Sequence, residues 1–409
     1  MIRKLISIAI LPVRLAVKFM SGLIRRKPDV WIFGSEGDKF SDNSKYLFIH
    51  VTENHPEIVA VWITGNQVVI DKINQTGGMA YQRWSLPGIY YTLVGKYWFV
   101  SYYVSDINHW LADGAILTNL WHGTPIKKIE FDITEGHLAE LYQQPTFLQK
   151  HVFKSHIFRK PDFVIGSSEP TNGIYASAFR IDHSRCLPLG LPRLDILGES
   201  KAGCVEFVRK WGRATTLKIM EFITQFDKVY LYAPTFRDSN PNFLQDLDID
   251  AAALNATLQA SNVVLLLKLH PATPDAALKH FAAHRNIQIL DAAEDIYPIL
   301  PFCDYLITDY SSVFIDFLLL DREMFFFSFD IDEYLSKSRA LYYEYRDIVP
   351  GRQLIAKEDF MSLFEVATPA LGFNANQRRL VEFFYDHRDF NSSARIVDYF
   401  KLGIIAGSR

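Results

Sequence analysis

From residue 30 onward the chain alternates short, almost wholly apolar runs with longer amphipathic stretches. In the first half, residues 30–34 (VWIFG), 58–64 (IVAVWIT), 98–103 (WFVSYY), 115–122 (AILTNLWH) and 163–166 (FVIG) read as strands, with a further short strand at 68–70. In the second half, residues 228–233 (KVYLYA), 263–269 (VVLLLKL), 287–290, 303–308 and 325–329 (FFFSF) read the same way, the last as the final strand. Such continuous apolar runs fit strands covered on both faces. Residues 46–54, 86–96, 135–158, 296–301, 375–384 and 392–402 read as helices. Strands alternating with helices predict parallel α/β sheets with crossover helices.

The length of 409 residues predicts two domains. Residues 186–193 (CLPLGLPR) are rich in Gly and Pro and lead to a junction placed between 195 and 203. The division expected is a segment 1–29, a domain 30–198, a domain 199–380 and closing helices 381–409. No internal repeat or low-complexity tract interrupts it.

Residues 1–29 mix apolar side chains with Arg3, Lys4, Arg14, Lys18, Arg25, Arg26 and Lys27. The longest uncharged run, 5–13, contains Pro12 and is too short to span a bilayer. No A-x-A cleavage site follows it. The segment is read as a basic amphipathic element on an anionic membrane surface. The competing reading is a helix packed on the protein with its basic face in solvent.

Composition narrows the class. A hydrophobic share of 49%, with 31 Phe and 20 Tyr, supplies a large core and excludes extensive disorder. A net charge of -3 gives no basis for nucleic-acid binding. Cys186, Cys204 and Cys303 have no metal or disulfide spacing, which fits buried small side chains in a reducing, cytoplasmic setting.

Candidate chemistry sits where strands end, which is where open α/β sheets bind ligands. Residues 308–317 (TDYSSVFIDF) read as strand, polar turn and helix start. Ser311 and Ser312 there either hold a phosphate beside free helix N–H groups or serve as an N-cap. His122 ends a strand and is followed by Gly123, Thr124, Pro125 and Lys127. A histidine so placed is either a general base or bonded to a loop carbonyl. Arg237 follows the strand at 228–233 and is a candidate phosphate ligand. His270 ends the apolar strand at 263–269. His137, His151 and His156 lack metal spacing, and Asp246, Asp248 and Asp250 lack the EF-hand pattern. Neither group is assigned a metal.

Taken together, WIFGS at 31–35 with DNSK at 42–45, WHGTP at 121–125 with Lys127, YAPTFRD at 232–238, KLHP at 268–271 and TDYSSV at 308–313 with Asp316 resemble the CDP-glycerol:glycerophosphotransferase family of teichoic acid and capsule synthesis. The resemblance spans about residues 30–400 and extends to Asp332, Tyr334 and the Pro350-Gly351 pair. It implies a GT-B fold of two Rossmann-like domains facing across a cleft, held at the inner membrane face. The implied reaction moves a polyol phosphate from a CDP-activated donor to a hydroxyl of a lipid-linked or polymeric glycan acceptor, with release of CMP. By the same resemblance His122 is the base, and His270, Arg237, Ser311 and Ser312 hold the donor pyrophosphate. Asp316 and Thr308 lie near the nucleotide, and Gly123, Thr124, Lys127 and Arg339 support the acceptor loop. Domain closure would bring the two histidines together. No cofactor is implied, and a divalent metal is not indicated. Two departures stand out: Ala340 after Arg339 in place of a glycine, and Asp386-His-Arg-Asp389 in place of an Asp-Gly pair. A GT-B glycosyltransferase using a nucleotide sugar is the competing enzyme, and a non-catalytic polymer-binding module is the competing non-enzyme.

Overall fold

The computed structural model describes residues 8–406 apart from 137, 238–239, 241, 271, 338–339 and 366–373. Arg339 therefore lies outside the described residues. The chain forms two compact units: Met1–Thr124 with Ile129–Asp195 and Tyr385–Arg409, and Pro125–Lys128 with Ile196–Phe384.

The first unit is built on a seven-stranded sheet: β1 (Lys27–Gly34), β2 (Val59–Thr64), β3 (Ala80–Gln82), β4 (Gly95–Val100), β5 (Ile116–Asn119), β6 (Phe163–Ile165) and β7 (Cys186–Leu187). The order is β3-β2-β1-β4-β5-β6-β7, with every neighbouring pair parallel. Trp31, Ile32 and Phe33 in β1 and Trp98 and Phe99 in β4 are wholly buried. Each such side chain is worth roughly 1.5–3 kcal/mol on burial, which explains why these central strands dominate the unit. The helix Ser392–Ala406 returns to this sheet, placing Phe400 5.3 Å from Phe99, and Asp195 accepts the backbone N–H groups of Ser392 and Ser393 at its start, each at 2.8 Å.

The second unit holds β8 (Lys228–Tyr232), β9 (Val263–Lys268), β10 (Ile287–Leu290), β11 (Tyr305–Thr308), β12 (Glu323–Phe327) and β13 (Arg352–Leu354). Their order is β10-β9-β8-β11-β12-β13, again parallel throughout. The five apolar residues Val263–Leu267 of β9 are all buried, as a strand covered on both faces requires. The three cysteines are free and buried.

The strand order reverses between β1 and β4 in one sheet and between β8 and β11 in the other. A crevice opens at the carboxyl ends of strands at such a reversal.

Several elements differ from the sequence reading. Residues 68–70 lie inside the helix Gln67–Gln75, because the Asn66 side chain caps it on the N–H of Val68 at 3.0 Å and Ile70 and Ile73 bury one face three residues apart. Among the described residues of 135–158 there are only the short helix Ala139–Gln143 and a π-turn at Gln149–Phe153, split at Pro145. Residues 296–301 form a turn and the start of the 3-10 turn Leu300–Phe302 rather than a helix. The last strand among the described residues is β13, a polar-edged strand without the apolar run that marks the others. β4 and β5 end at Val100 and Asn119, so the residues that follow are loops rather than strand.

Candidate active site

In the first unit the loop after β5 turns sharply. Asn119 accepts the N–H of Trp121 at 2.8 Å, and Trp121 takes a left-handed φ of 52°. That conformation costs a bulky residue roughly 1–3 kcal/mol, and the surroundings hold it. Asn43 donates to the carbonyls of Leu120 at 3.1 Å and Trp121 at 2.9 Å, and Arg193 donates to the carbonyl of His122 at 2.7 Å and to Asp42 at 2.9 Å. Gly123 follows with φ 136°, a value that favours glycine, and its carbonyl accepts the Tyr175 hydroxyl at 3.2 Å. Thr124 is buried with its hydroxyl 3.4 Å from that of Ser167.

The turn aims His122 outward, with its ring 4.1 Å from that of Trp121 and 5.2 Å from that of Tyr102. Its Nδ1 lies 3.2 Å from the Ser101 carbonyl. A carbonyl only accepts, so Nδ1 carries the proton and Nε2 is left with a lone pair. The protein around the ring disfavours the imidazolium and lowers the pKa, while the Asp42 carboxylate opposes this. The expected bond to a loop carbonyl is present on Nδ1, and it leaves Nε2 as the ring's acceptor.

In the second unit the candidate residues gather at the β8/β11 reversal. His270 is exposed, stacks at 4.5 Å on Phe236, and accepts the N–H of Ala272 on Nδ1 at 3.1 Å. Nε2 of neutral His270 then carries the proton and is a donor, the opposite tautomer to His122. Ser311 and Ser312 are half-buried, and Ser312 precedes the helix Val313–Phe317 without a side-chain cap bond. Serine as a cap is thus not what the turn uses.

Three expected ligands turn out to be struts. Arg237 is 3% exposed. Its guanidinium grips both oxygens of Asp330 at 3.0 Å, bonds Asp309 and the Thr235 carbonyl, and lies 5.3 Å from the centre of the Tyr310 ring. Burial works against its charge, but the Asp309 and Asp330 carboxylates outweigh it and hold the pKa above the usual arginine value. With these donors engaged, Arg237 braces the β8 and β11 loops instead of facing a phosphate. Thr308 is fully buried and donates to the Ala233 carbonyl at 2.7 Å. Asp316 is also fully buried and accepts the Tyr297 hydroxyl at 2.6 Å, which keeps it away from a ribose. Lys127 belongs to the second unit, pairing with Leu341 in an antiparallel bridge, with Nζ 5.1 Å over the Tyr334 ring. Among the described residues, no three His, Cys, Asp or Glu side chains are placed to hold a metal.

A sequence profile of the CDP-glycerol:poly(glycerophosphate) glycerophosphotransferase family matches residues 16–401. The chain belongs to this family. It is 30% identical over 342 residues to the teichoic acid poly(glycerol phosphate) polymerase of Staphylococcus epidermidis, a match covering 80% of this chain but only 44% of that protein. It is 28% identical over 410 residues to the poly(glycerol phosphate) polymerase of Bacillus spizizenii, covering 92% and 93% of the two chains. The chain thus spans less than half the length of the first relative and nearly all of the second. A solved structure of a variant of the wall teichoic acid polymerase TagF superposes with a TM-score of 0.75 at 23% identity, over 99% of this chain and 98% of that one. The fold class is accordingly GT-B-like, with two parallel α/β units.

Sequence reasoning missed Asn43, Arg193 and Ser101. Asn43 lies within the DNSK motif and was available. Arg193 stands in the Gly- and Pro-rich stretch that reads as a junction, and Ser101 in a stretch that reads as strand.

Proposed function

We propose that this glycerophosphotransferase-family chain transfers glycerol phosphate, or a related polyol phosphate, from a CDP-activated donor to an acceptor hydroxyl and releases CMP. The observation that carries the reading is the His122 tautomer, with Nδ1–H committed to the Ser101 carbonyl and Nε2 free to take a proton. In the reaction the acceptor oxygen gives its proton to Nε2 and attacks the phosphorus that bears the polyol. The bond from that phosphorus to the bridging oxygen breaks, and CMP leaves with the electron pair. Phosphoryl transfer of this kind rests on positioning and charge stabilisation more than on a covalent nucleophile.

On the donor side, the Nε2–H of His270 and the hydroxyls of Ser311 and Ser312 are the groups offered to the pyrophosphate. Arg237 keeps the two loops that carry them in place. Gly123, Thr124 and Lys127 set the course of the loop that follows His122.

The site of action is an anionic membrane surface. Among the described residues, no helix is long and apolar enough to cross a membrane. The helix Leu11–Gly22 turns Arg14 and Lys18 toward the protein, with Arg14 4.9 Å over the Trp110 ring and Lys18 4.0 Å from Asp113. Val13, Leu15, Phe19 and Met20 are exposed, the reverse of a helix that shows its basic face to solvent. An outward apolar face of this kind suits the interface of a bilayer.

A donor screen tests the reading. CMP release from CDP-glycerol or CDP-ribitol in the presence of an acceptor supports it, and nucleoside diphosphate release from UDP-sugars alone supports the glycosyltransferase instead.

A further inference from the structure

The tautomer of His122 depends on where the Ser101 carbonyl points. Ser101 is the first residue after β4 and begins a loop that closes in the 3-10 turn Val104–Asp106. Within that loop Asp106 is only 5% exposed, a buried carboxyl group that the transfer described above does not use. Its Oδ2 accepts the N–H of Tyr102 at 2.9 Å. That N–H and the Ser101 carbonyl belong to one peptide unit. The unit is planar and trans, so its N–H and its carbonyl point to opposite sides. With the Tyr102 N–H directed at Asp106, the Ser101 carbonyl is sent the other way, to Nδ1 of His122 at 3.2 Å. A hydrogen bond on the N–H also polarises the peptide and strengthens its carbonyl as an acceptor.

The groups around this peptide are fixed as well. The Ser44 hydroxyl lies 2.8 Å from the Ser101 hydroxyl, and the Ser44 N–H donates to the Ser101 hydroxyl at 3.2 Å. Asn119 Nδ2 donates to the Tyr102 carbonyl at 2.9 Å, while its Oδ1 accepts the N–H of Trp121 at 2.8 Å. One buried amide thus ties the loop after β4 to the loop that carries His122. Asp106 is held through its own backbone, whose N–H donates to the Tyr103 carbonyl at 2.9 Å and whose carbonyl accepts Nη2 of Arg83 at 3.1 Å. The end of β1 backs it closely, since a Cβ on Gly34 would stand 2.6 Å from the Asp106 carbonyl oxygen. Burial, with the Glu36 carboxylate adding to it, pushes the Asp106 pKa up to about 7 against the pull of the Tyr102 and Tyr103 N–H groups. Charged or neutral, the carboxyl keeps an oxygen that accepts the Tyr102 N–H, so the geometry survives its titration.

We propose that Asp106 is a positioning residue for His122, acting through the peptide between Ser101 and Tyr102 to aim the carbonyl that holds Nδ1–H and so to leave Nε2 as the acceptor. The proposal rests on the reading of His122 as the base and adds to it the residue that sets the ring's tautomer. Asp106 touches neither substrate nor ring. What it supplies is direction, passed on by the rigidity of one peptide.

The test reads the tautomer and the turnover separately. The full chain is labelled with ¹⁵N-histidine, and the His122 signals are those lost in His122→Ala. Spectra are taken above the ordinary imidazole pKa of about 6.5, where the ring is neutral. Asp106→Asn keeps an acceptor oxygen, Asp106→Ala removes it, and Asp106→Ser repeats the removal with a polar group in the buried position. The unaltered chain and Asp106→Asn are expected to show a single tautomer protonated on Nδ1, and the alanine and serine variants a mixture. In the same variants acceptor-dependent kcat is expected to fall about tenfold for alanine and serine and to stay within about threefold for asparagine, with donor KM unchanged within about twofold. In a His122→Ala background Asp106→Ala is expected to cost nothing further, because its effect passes through the ring. An unchanged tautomer in the alanine and serine variants overturns the proposal. So does a tenfold loss that persists in the His122→Ala background, which marks a structural role. A tautomer that shifts while kcat holds keeps Asp106 as the residue that aims the ring and removes His122 as the base, so the two failures are told apart.

Discussion

Nδ1 of His122 lies 3.2 Å from the Ser101 carbonyl oxygen, and that contact decides which nitrogen of the ring is basic. The lowered pKa keeps the His122 ring neutral below the ordinary imidazole value of about 6.5, which suits the proposed base. Transfer is expected to hold as pH falls through that value and to decline only lower, as Nε2 becomes protonated. Asp42→Asn removes a charge that raises the pKa and leaves Arg193 less neutralised, so both effects move the acid limb to still lower pH. A kcat/KM profile with its acid limb at or above 6.5, or one that moves upward in Asp42→Asn, would contradict this assignment.

Arg237 and its carboxylates make a different kind of prediction. Arg237→Met leaves Asp309 and Asp330 without their cation, and breaking a buried pair in this way costs about 3–5 kcal/mol. Urea unfolding of the second unit's transition is expected to shift accordingly. If the midpoint stays put and only donor KM rises, Arg237 is a ligand after all.

Ser311 and Ser312 should behave in the opposite way. Their side chains take no part in capping the helix that follows, so Ser311→Ala and Ser312→Ala are expected to change stability by less than about 0.5 kcal/mol. Loss of the hydroxyls should raise donor KM about tenfold. Unchanged donor KM in the double variant would remove both residues from the site.

The exposed face of the helix Leu11–Gly22 yields a sedimentation experiment. Phe19→Asp with Leu15→Asp places two charges where apolar side chains face outward. Co-sedimentation with anionic vesicles is expected to fall at least tenfold while the melting temperature holds. Undiminished sedimentation would assign membrane contact elsewhere.

Much of this architecture was legible in the residues themselves. β1, β2, β8, β9 and β11 declare themselves as apolar runs because central parallel strands are buried on both faces. β13 did not, since an edge strand with Arg352 and Gln353 exposed carries no such run. The pattern placed His122 and His270 at strand ends. It could not tell buried struts from side chains open to a ligand, because what sets Arg237, Thr308 and Asp316 apart from the half-buried Ser311 is their burial and their partners. Those depend on Ala233, Tyr297 and Asp330, which the linear sequence does not bring near. Arg193 was hidden for the same reason: it acts on a carbonyl 71 residues away.

The most direct test of the account is acceptor-dependent CMP release from CDP-glycerol, measured for the unaltered chain and for His122→Ala. Loss of a positioned general base is expected to slow turnover about 10²–10⁴-fold while donor affinity stays within twofold, about the cost of removing acid–base catalysis alone. Near-normal release by His122→Ala would contradict the central claim.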